Sequence, residues 1–479
     1  MMPFGPLRPD GPPQQAGLLR ANNVLPRPAS YAPLRALEAL SEPLAGQARG
    51  MFAAGAEAVT TFAGTPDALY QLRGARWRQV GGPYPRTVEE NWSFAQFGDL
   101  VIATNGSVVP QKWQLGISSA FLPLGGSPPP ARCIATVRDF VVLGNIPSRP
   151  TAIKWSGIDA AETWNISQDT QADEQTLPDG GEVLGLVGGE YGVILQSNAI
   201  RRMSYVGTPF VFQIDKVEDN RGVLAPGSIA GFGPGSIYYL SSDGFYVTDG
   251  NGPSRPIGAG KIDRTFLDEL DPLNLHQVSA CIDAVNKLYV VSYPNRAARE
   301  GIANRLAIHN LETGEWSFAD ISCQRLFSAL SQSTGIDDLP ALGYDDLDAM
   351  VIGLDSRVWQ GGAVSLAAVD PAGCLAGFTG ATLEAVLETG ELAPFAMSRA
   401  EVTGCLVLGD GGTPAVAIAG RAGSRAQLDF GAEASVNRSG IASLRRGGRA
   451  LAVRVRMPAG SEWGQLQGFE LQLTQGGRP

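Results

Sequence analysis

Hydrophobic positions along this chain come in short, dense runs. Thr61-Phe62-Ala63-Gly64, Val101-Ile102-Ala103-Thr104, Val141-Val142-Leu143-Gly144, Val193-Ile194-Leu195-Gln196, Leu288-Tyr289-Val290-Val291 and Val351-Ile352-Gly353-Leu354 share this form. A compact apolar run bounded by turn formers predicts a buried strand, whereas a helix spreads its apolar positions over a longer window. After most runs comes a turn and a second strand with an aromatic. Leu69-Tyr70-Gln71-Leu72, Trp113 after Asn105-Gly106, Ile153-Lys154-Trp155, and Val358-Trp359 after Asp355-Ser356 follow this rule. The sharpest unit is Tyr238-Tyr239-Leu240 and Phe245-Tyr246-Val247-Thr248 around Asp243-Gly244. Asp-Gly between apolar runs predicts a tight hairpin, because both central residues of a type I′ turn need positive φ.

The runs start near residues 61, 101, 141, 193, 238, 289 and 351, in steps of 40 to 62 residues. A four-stranded blade takes about 40 to 50 residues. The spacing therefore predicts a mostly β chain with a six- or seven-bladed β-propeller over residues 57–366, each run opening a blade. Arg305–Asn310 and Trp316–Ile321, joined through Thr313-Gly314, read as the outer half of one blade. One helix interrupts the pattern: over 261–270, Ile262, Phe266, Leu267 and Leu270 share a face, and Asp271-Pro272 ends it.

Two stretches lie outside the repeat. Residues 1–56 begin with Pro3, Pro6, Pro9, Pro12, Pro13, Pro26 and Pro28, which predicts an extended arm, dangling or laid along a neighbouring subunit. Leu34, Leu37 and Leu40 then predict a short helix broken at Pro43. In residues 367–479, Leu451, Val453, Val455 and Met457 alternate with Arg454 and Arg456, and Phe469, Leu471 and Leu473 alternate with Glu470, Gln472 and Thr474. Period two with one apolar face predicts a separate C-terminal β-sandwich-like domain.

Composition agrees. Of 479 residues, 44% are hydrophobic and only 18% charged, with 60 Gly and 33 Pro, which suits a folded, turn-rich β chain. The net charge of −10 argues against a tight grip on nucleic acid, which needs Lys and Arg to displace counterions. An acidic wall instead suits DNA that must slide. Cys133, Cys281, Cys323, Cys374 and Cys405 show no metal or redox spacing and are expected as buried reduced thiols. The N-terminus lacks the apolar core of a cleaved signal, and no run is long enough for a membrane span, so no membrane anchor is expected.

No residue earns a catalytic, cofactor or metal role. The two histidines, His276 and His309, stand outside any HExxH spacing, and GxxxxGK[ST] and GxSxG are absent. Gly231-Phe232-Gly233-Pro234-Gly235 reads as a turn, and Asp249-Gly250-Asn251-Gly252 as a turn with some likeness to a calcium loop. Asp337, Asp338, Asp345, Asp346 and Asp348 do not match an EF-hand and read as a solvated loop. Arg201, Arg202 and Tyr205 are residue types that propeller glycosidases use, without the spacing of an Asp box. Trp77, Trp92, Trp113, Trp155, Trp164, Trp316 and Trp359 recur at repeat positions and are expected to pack between blades rather than stack on sugars.

Several stretches resemble bacteriophage tail proteins: Trp92 to Gly106, Asn22-Asn23-Val24-Leu25-Pro26 with Tyr31-Ala32-Pro33, Phe62-Ala63-Gly64-Thr65 with Leu69-Tyr70 and Trp77, and Gly448-Arg449 with Arg454 to Gly460 and Trp463. The family resembled is the podovirus tail nozzle, also called the tail hub or packaged-DNA stabilisation protein. The resemblance implies a structural, non-enzymatic tail component without cofactors, found in the virion and assembled in the host cytoplasm. It implies a homo-oligomer, a hexamer, below the portal and adaptor, contacting tail fibre or spike proteins and passing double-stranded DNA without specific binding. The chain is smaller than the larger nozzles. Two alternatives stay open: a carbohydrate- or receptor-binding β-propeller, and a propeller glycoside hydrolase.

Overall fold

The computed structural model describes all residues except 13–16, 56–58, 86–89, 232, 331–363, 396–397, 424–425 and 477–479. Strand dominates, as the short apolar runs require. Six separate four-stranded antiparallel sheets, and four consecutive strands within a ten-stranded sheet, follow one another along the chain. Sheet 1 holds Gly50–Ala54, Thr60–Gly64, Leu69–Arg73 and Arg76–Gly81. Sheets 2, 3, 4 and 5 open with Ser93–Phe97, Cys133–Val137, Val183–Val187 and Ala230–Gly231. Sheet 6 opens with Ser279–Asp283 and sheet 7 with Arg325–Leu330. The opening strands pack against one another from sheet 5 through 6, 7, 1, 2 and 3 to 4. A shared core of Val193, Leu195, Ile200, Ile237, Tyr239 and Tyr246 joins sheet 4 to sheet 5. This is a propeller-like ring.

The apolar runs that mark the repeat are the second strands of these sheets, not the first. Phe140–Ile146, Gly192–Gln196 and Leu288–Tyr293 are buried at every residue. A second strand has a hydrogen-bonded neighbour on each edge and another sheet against each face, so it reads as a continuous apolar run. The opening strands face the ring axis and are more mixed; Ser93–Phe97 is only half-buried apart from Ala95. The hairpin around Asp243 also differs in detail: Ser241 pairs with Gly244, so Ser242 and Asp243 form the turn. The run at 351–354, with Trp359 and the acidic group from Asp337 to Asp348, lies outside the described residues.

The N-terminal residues are extended, as their prolines require, but they are built into the same chain. Glu38–Pro43 is the fourth strand of sheet 7, paired with Cys374–Gly377. The expected helix over Leu34 to Leu40 is therefore replaced by strand, because an open sheet edge supplies backbone partners that a short isolated helix lacks. Sheet 7 includes Val364–Val369 and Cys374–Gly377, so the ring extends past the expected limit at 366.

Leu18–Asn22 pairs in parallel with the last strand of sheet 6 (Asn22 against Phe318) and antiparallel with Ala385–Thr389. The ten-stranded sheet then continues through Ala450–Met457 and Ala415–Arg421. Facing it is a six-stranded sheet in which Val24–Arg27 and Ser30–Pro33 lead to Trp463–Gln475, Ala400–Gly411 and Ile441–Gly448. Leu451, Val453, Val455 and Met457 are buried against Val402, Cys405 and Phe469 of the opposite layer, the period-two pattern at work. The helix Asp263–Glu269 forms where expected, with Ile262, Phe266 and Leu270 buried and Phe266 edge-on to Phe245 at 4.6 Å.

Candidate functional site

At one end of the ring, the segments leading into four opening strands meet. Arg49 stands one residue before sheet 1, Asn91 two before sheet 2, Gln277 two before sheet 6, and Arg325 begins sheet 7. Arg325 is 5% exposed. Its Nη1 donates to Val278 O at 3.1 Å, and its Nη2 to His276 O at 2.9 Å and to Asn91 Oδ1. Asn91 Nδ2 donates to the same His276 carbonyl at 3.0 Å. Gln47 Nε2 bonds Gln277 Oε1 at 3.3 Å, and Gln324 Oε1 accepts from Ala48 N at 2.7 Å. The Asn91–His276 bond joins sheets 2 and 6, which lie three steps apart around the ring. Burial, with the neighbouring Arg49 charge second, pulls the Arg325 guanidinium down to about 9.

A second feature is an open cleft of about 350 Å³ beneath sheet 5, lined among others by Ser236, Thr248, Asp249, Asn251 and Arg255. Asp249-Gly250-Asn251-Gly252 shapes it as a turn: Asp249 Oδ1 accepts from Asn251 N at 2.9 Å, and Gly250 takes φ 69°. That amide bond holds the Asp249 carboxyl below its ordinary range. Among the described residues no three His, Cys, Asp or Glu side chains are grouped to hold a metal ion.

The residue types associated with propeller glycosidases do not converge. Arg201 and Arg202 are strand neighbours, so their side chains leave opposite faces. Arg201 is buried against Asp179 and Gln196, the latter at 2.8 Å. Arg202 bonds Asn251 and lies 4.0 Å over the Tyr191 ring. Tyr205 packs on Phe140 and Phe212. His309 is buried 4.4 Å from the Trp316 ring, and His276 sits on the separate turn Pro272–Gln277. Trp92, Trp113, Trp155, Trp164 and Trp316 are buried, which is packing, and Trp77 is half-buried. All five cysteines are buried and free.

Sequence reasoning missed the axial cluster. Its members are single polar residues without a shared motif, and their one common signal is position, just ahead of a weakly patterned strand.

No protein-family model and no curated protein matches the chain. Solved structures give distant similarities of form. An extracellular domain from B. thetaiotaomicron assigned to a hybrid two-component system is 9% identical, covering 83% of this chain and 47% of its own, with a TM-score of 0.43. This chain thus spans about half the length of that domain. The WD40 domain of Neurospora crassa Pan2 is 8% identical, covering 63% and 90%, with a TM-score of 0.39. The computationally designed Ika8 protein is 11% identical, covering 71% and 98%, with a TM-score of 0.40. Values this low say nothing of function.

Proposed function

We propose that this chain is a structural component of a bacteriophage tail, of the nozzle or hub kind. In this reading it carries a seven-bladed β-propeller whose last blade is completed by Glu38–Pro43, and a C-terminal β-sandwich. The observation that carries the reading is the stitching of the two parts. Leu18–Asn22 fuses sheet 6 to the C-terminal layer, and Val24–Pro33 then runs into the facing layer. Shared backbone hydrogen bonds make one stiff body, which suits a part that must hold its shape under the pressure of packaged DNA. Two of the four stretches resembling tail proteins fall on these joints, Asn22 to Pro33 in the stitching strands and Arg454 to Trp463 in the layers they enter; the other two lie in sheets 1 and 2.

DNA does not run through the propeller in this reading, because the Asn91–His276 bond bridges sheets across its hole. The conduit is the lumen of a homo-oligomeric ring, six-fold by the resemblance, with adaptor, portal and fibre or spike proteins as neighbours. The net charge of −10 per chain keeps such a lumen from binding phosphate. Negative-stain images of the purified protein test this. Closed rings with a lumen wide enough for duplex DNA are expected; particles that stay single at micromolar concentration, alone and with adaptor protein, count against it.

The cleft at Ser236, Thr248, Asp249, Asn251 and Arg255 favours one second reading, a carbohydrate- or receptor-binding propeller. Saturable binding on a glycan array that Asp249→Ala abolishes would establish it.

A further inference from the structure

Asn-Gly occurs twice in the chain, at Asn105-Gly106 and Asn251-Gly252. A glycine after an asparagine has no Cβ to restrict its backbone, so its amide nitrogen can close on the carboxamide before it. The fold treats the two pairs differently. Asn105 is 1% exposed, and its Oδ1 accepts from Ser107 N at 3.0 Å and from Val108 N at 3.2 Å. A Cβ on Gly106 would stand 2.7 Å from Arg132 Cγ, so that pair is covered as well as held. Asn251 is exposed, and a Cβ on Gly252 would meet nothing within 4 Å. Arg202, on the third strand of sheet 4, reaches this second pair: its Nη1 donates to Asn251 Oδ1. The guanidinium lies 4.0 Å over the Tyr191 ring, and Tyr191 Oη donates to Asp249 O of the same turn at 2.7 Å. Ring, guanidinium and turn thus brace one another.

We propose that Asn251 is a self-modification site: it deamidates in the folded protein, and Arg202 promotes the reaction. The Gly252 nitrogen attacks Asn251 Cγ, an N–C bond forms, and the nitrogen gives its proton to solvent hydroxide. Negative charge then collects on Oδ1, the atom that Arg202 already faces. A guanidinium placed there stabilises the charge as it develops and lowers the barrier. The Cγ–Nδ2 bond breaks next, water supplies a proton, and ammonia leaves a succinimide behind. Water adds to either carbonyl of that ring and opens it to aspartate or isoaspartate, so water is the only co-reactant. The product sets a second carboxylate beside Asp249 on the wall of the cleft that Asn251 shares with Arg255. The cleft therefore becomes more acidic as the protein ages. The inference does not depend on the tail reading.

The test is incubation of the full folded chain at mildly alkaline pH, followed by peptide mapping with mass spectrometry to separate amide, aspartate and isoaspartate at both positions. Asn251 is expected to convert at least about tenfold faster than Asn105, whose reaction waits on local opening. Arg202→Met removes the donor and is expected to slow Asn251 several-fold in the folded protein. That loss is smaller than for a donor in an enclosed active site, because water shares this one. Arg202→Lys keeps a cation and should restore much of the rate. In urea, where the contact is gone, wild type and both variants should convert Asn251 at one rate, which separates the folded geometry from the local sequence. Wild-type Asn251 that stays an amide as long as Asn105 does overturns the proposal. So does a folded Arg202→Met protein that converts at the wild-type rate or faster. The wild type alone covers the case in which Arg202→Met does not fold: its folded rate at Asn251 should match or exceed its rate in urea, and a clearly lower folded rate overturns the proposal.

Discussion

At Gly64 an added Cβ would lie 2.2 Å from Cδ1 of Trp92, whose indole Nε1 donates to Thr65 O at 2.7 Å. The ring is fixed by that bond and by its burial, so it has little freedom to retreat. Gly64→Ala is expected to cost about 1–3 kcal/mol, seen as a lower Tm. His309 sets a pH dependence. Burial, with Lys261 adding to it, depresses its pKa from 6.5 to about 3. The native state therefore holds it neutral while the unfolded chain protonates it below about 6.5. Its contribution is complete above that pH and is lost as the pH falls towards 3, by at most about 1.4 kcal/mol per unit. His309→Gln should flatten the fall of Tm between pH 6.5 and 4; an unchanged slope would assign the acid sensitivity elsewhere. Burial also pushes the Cys133, Cys323 and Cys405 thiols up to about 12, so native protein should resist alkylation until it is unfolded.

Elements give a graded test of the N-terminal stitching. Asp10 caps the helix Asp263–Glu269 from far along the chain, its Oδ2 accepting from Arg264 N at 2.8 Å and its Oδ1 from Thr265 N at 3.0 Å. Asp10→Ala should cost about 1 kcal/mol, the usual loss for a cap. Deleting residues 1–43 removes strands from sheet 7, from the ten-stranded layer and from the layer facing it. That truncation should expose bare strand edges, aggregate, and be cut rapidly by protease between ring and sandwich. A truncated chain that stayed monodisperse and protease-resistant would show that the stitching is dispensable. The same strands explain why this segment misleads a local reading. Leu34, Leu37 and Leu40 keep a helical spacing, yet the vacant edge of sheet 7 decides their conformation.

For the whole molecule, charge is the property that matters most. With 47 Asp and Glu against 37 Lys and Arg, the chain has no cationic surplus to release counterions from DNA. Mobility-shift experiments should detect no retention of duplex DNA near physiological salt, and no steep gain at lower salt. Retention that strengthens sharply as salt falls would count against the proposed sliding conduit and for a DNA-gripping role. The Asn91–His276 bond ties sheets 2 and 6 together at one end of the ring.

Local pattern in the chain determined the second strand of each described ring sheet from 1 to 6, the helix at Asp263–Glu269, and the alternating strands at Ala450–Met457 and Trp463–Gln475. Those segments are buried on both faces or on one regular face, and burial is what an apolar pattern records. The tertiary structure alone decided which strand opens each sheet, where residues 18–43 lie, and that Arg49, Asn91, His276 and Arg325 meet. Opening strands mix buried and half-buried positions without a regular alternation, from Cys133–Val137, mostly buried, to Ser93–Phe97, mostly half-buried, so their pattern is faint. The partners of the N-terminal strands stand hundreds of residues away, and ring closure, not local preference, brings them together.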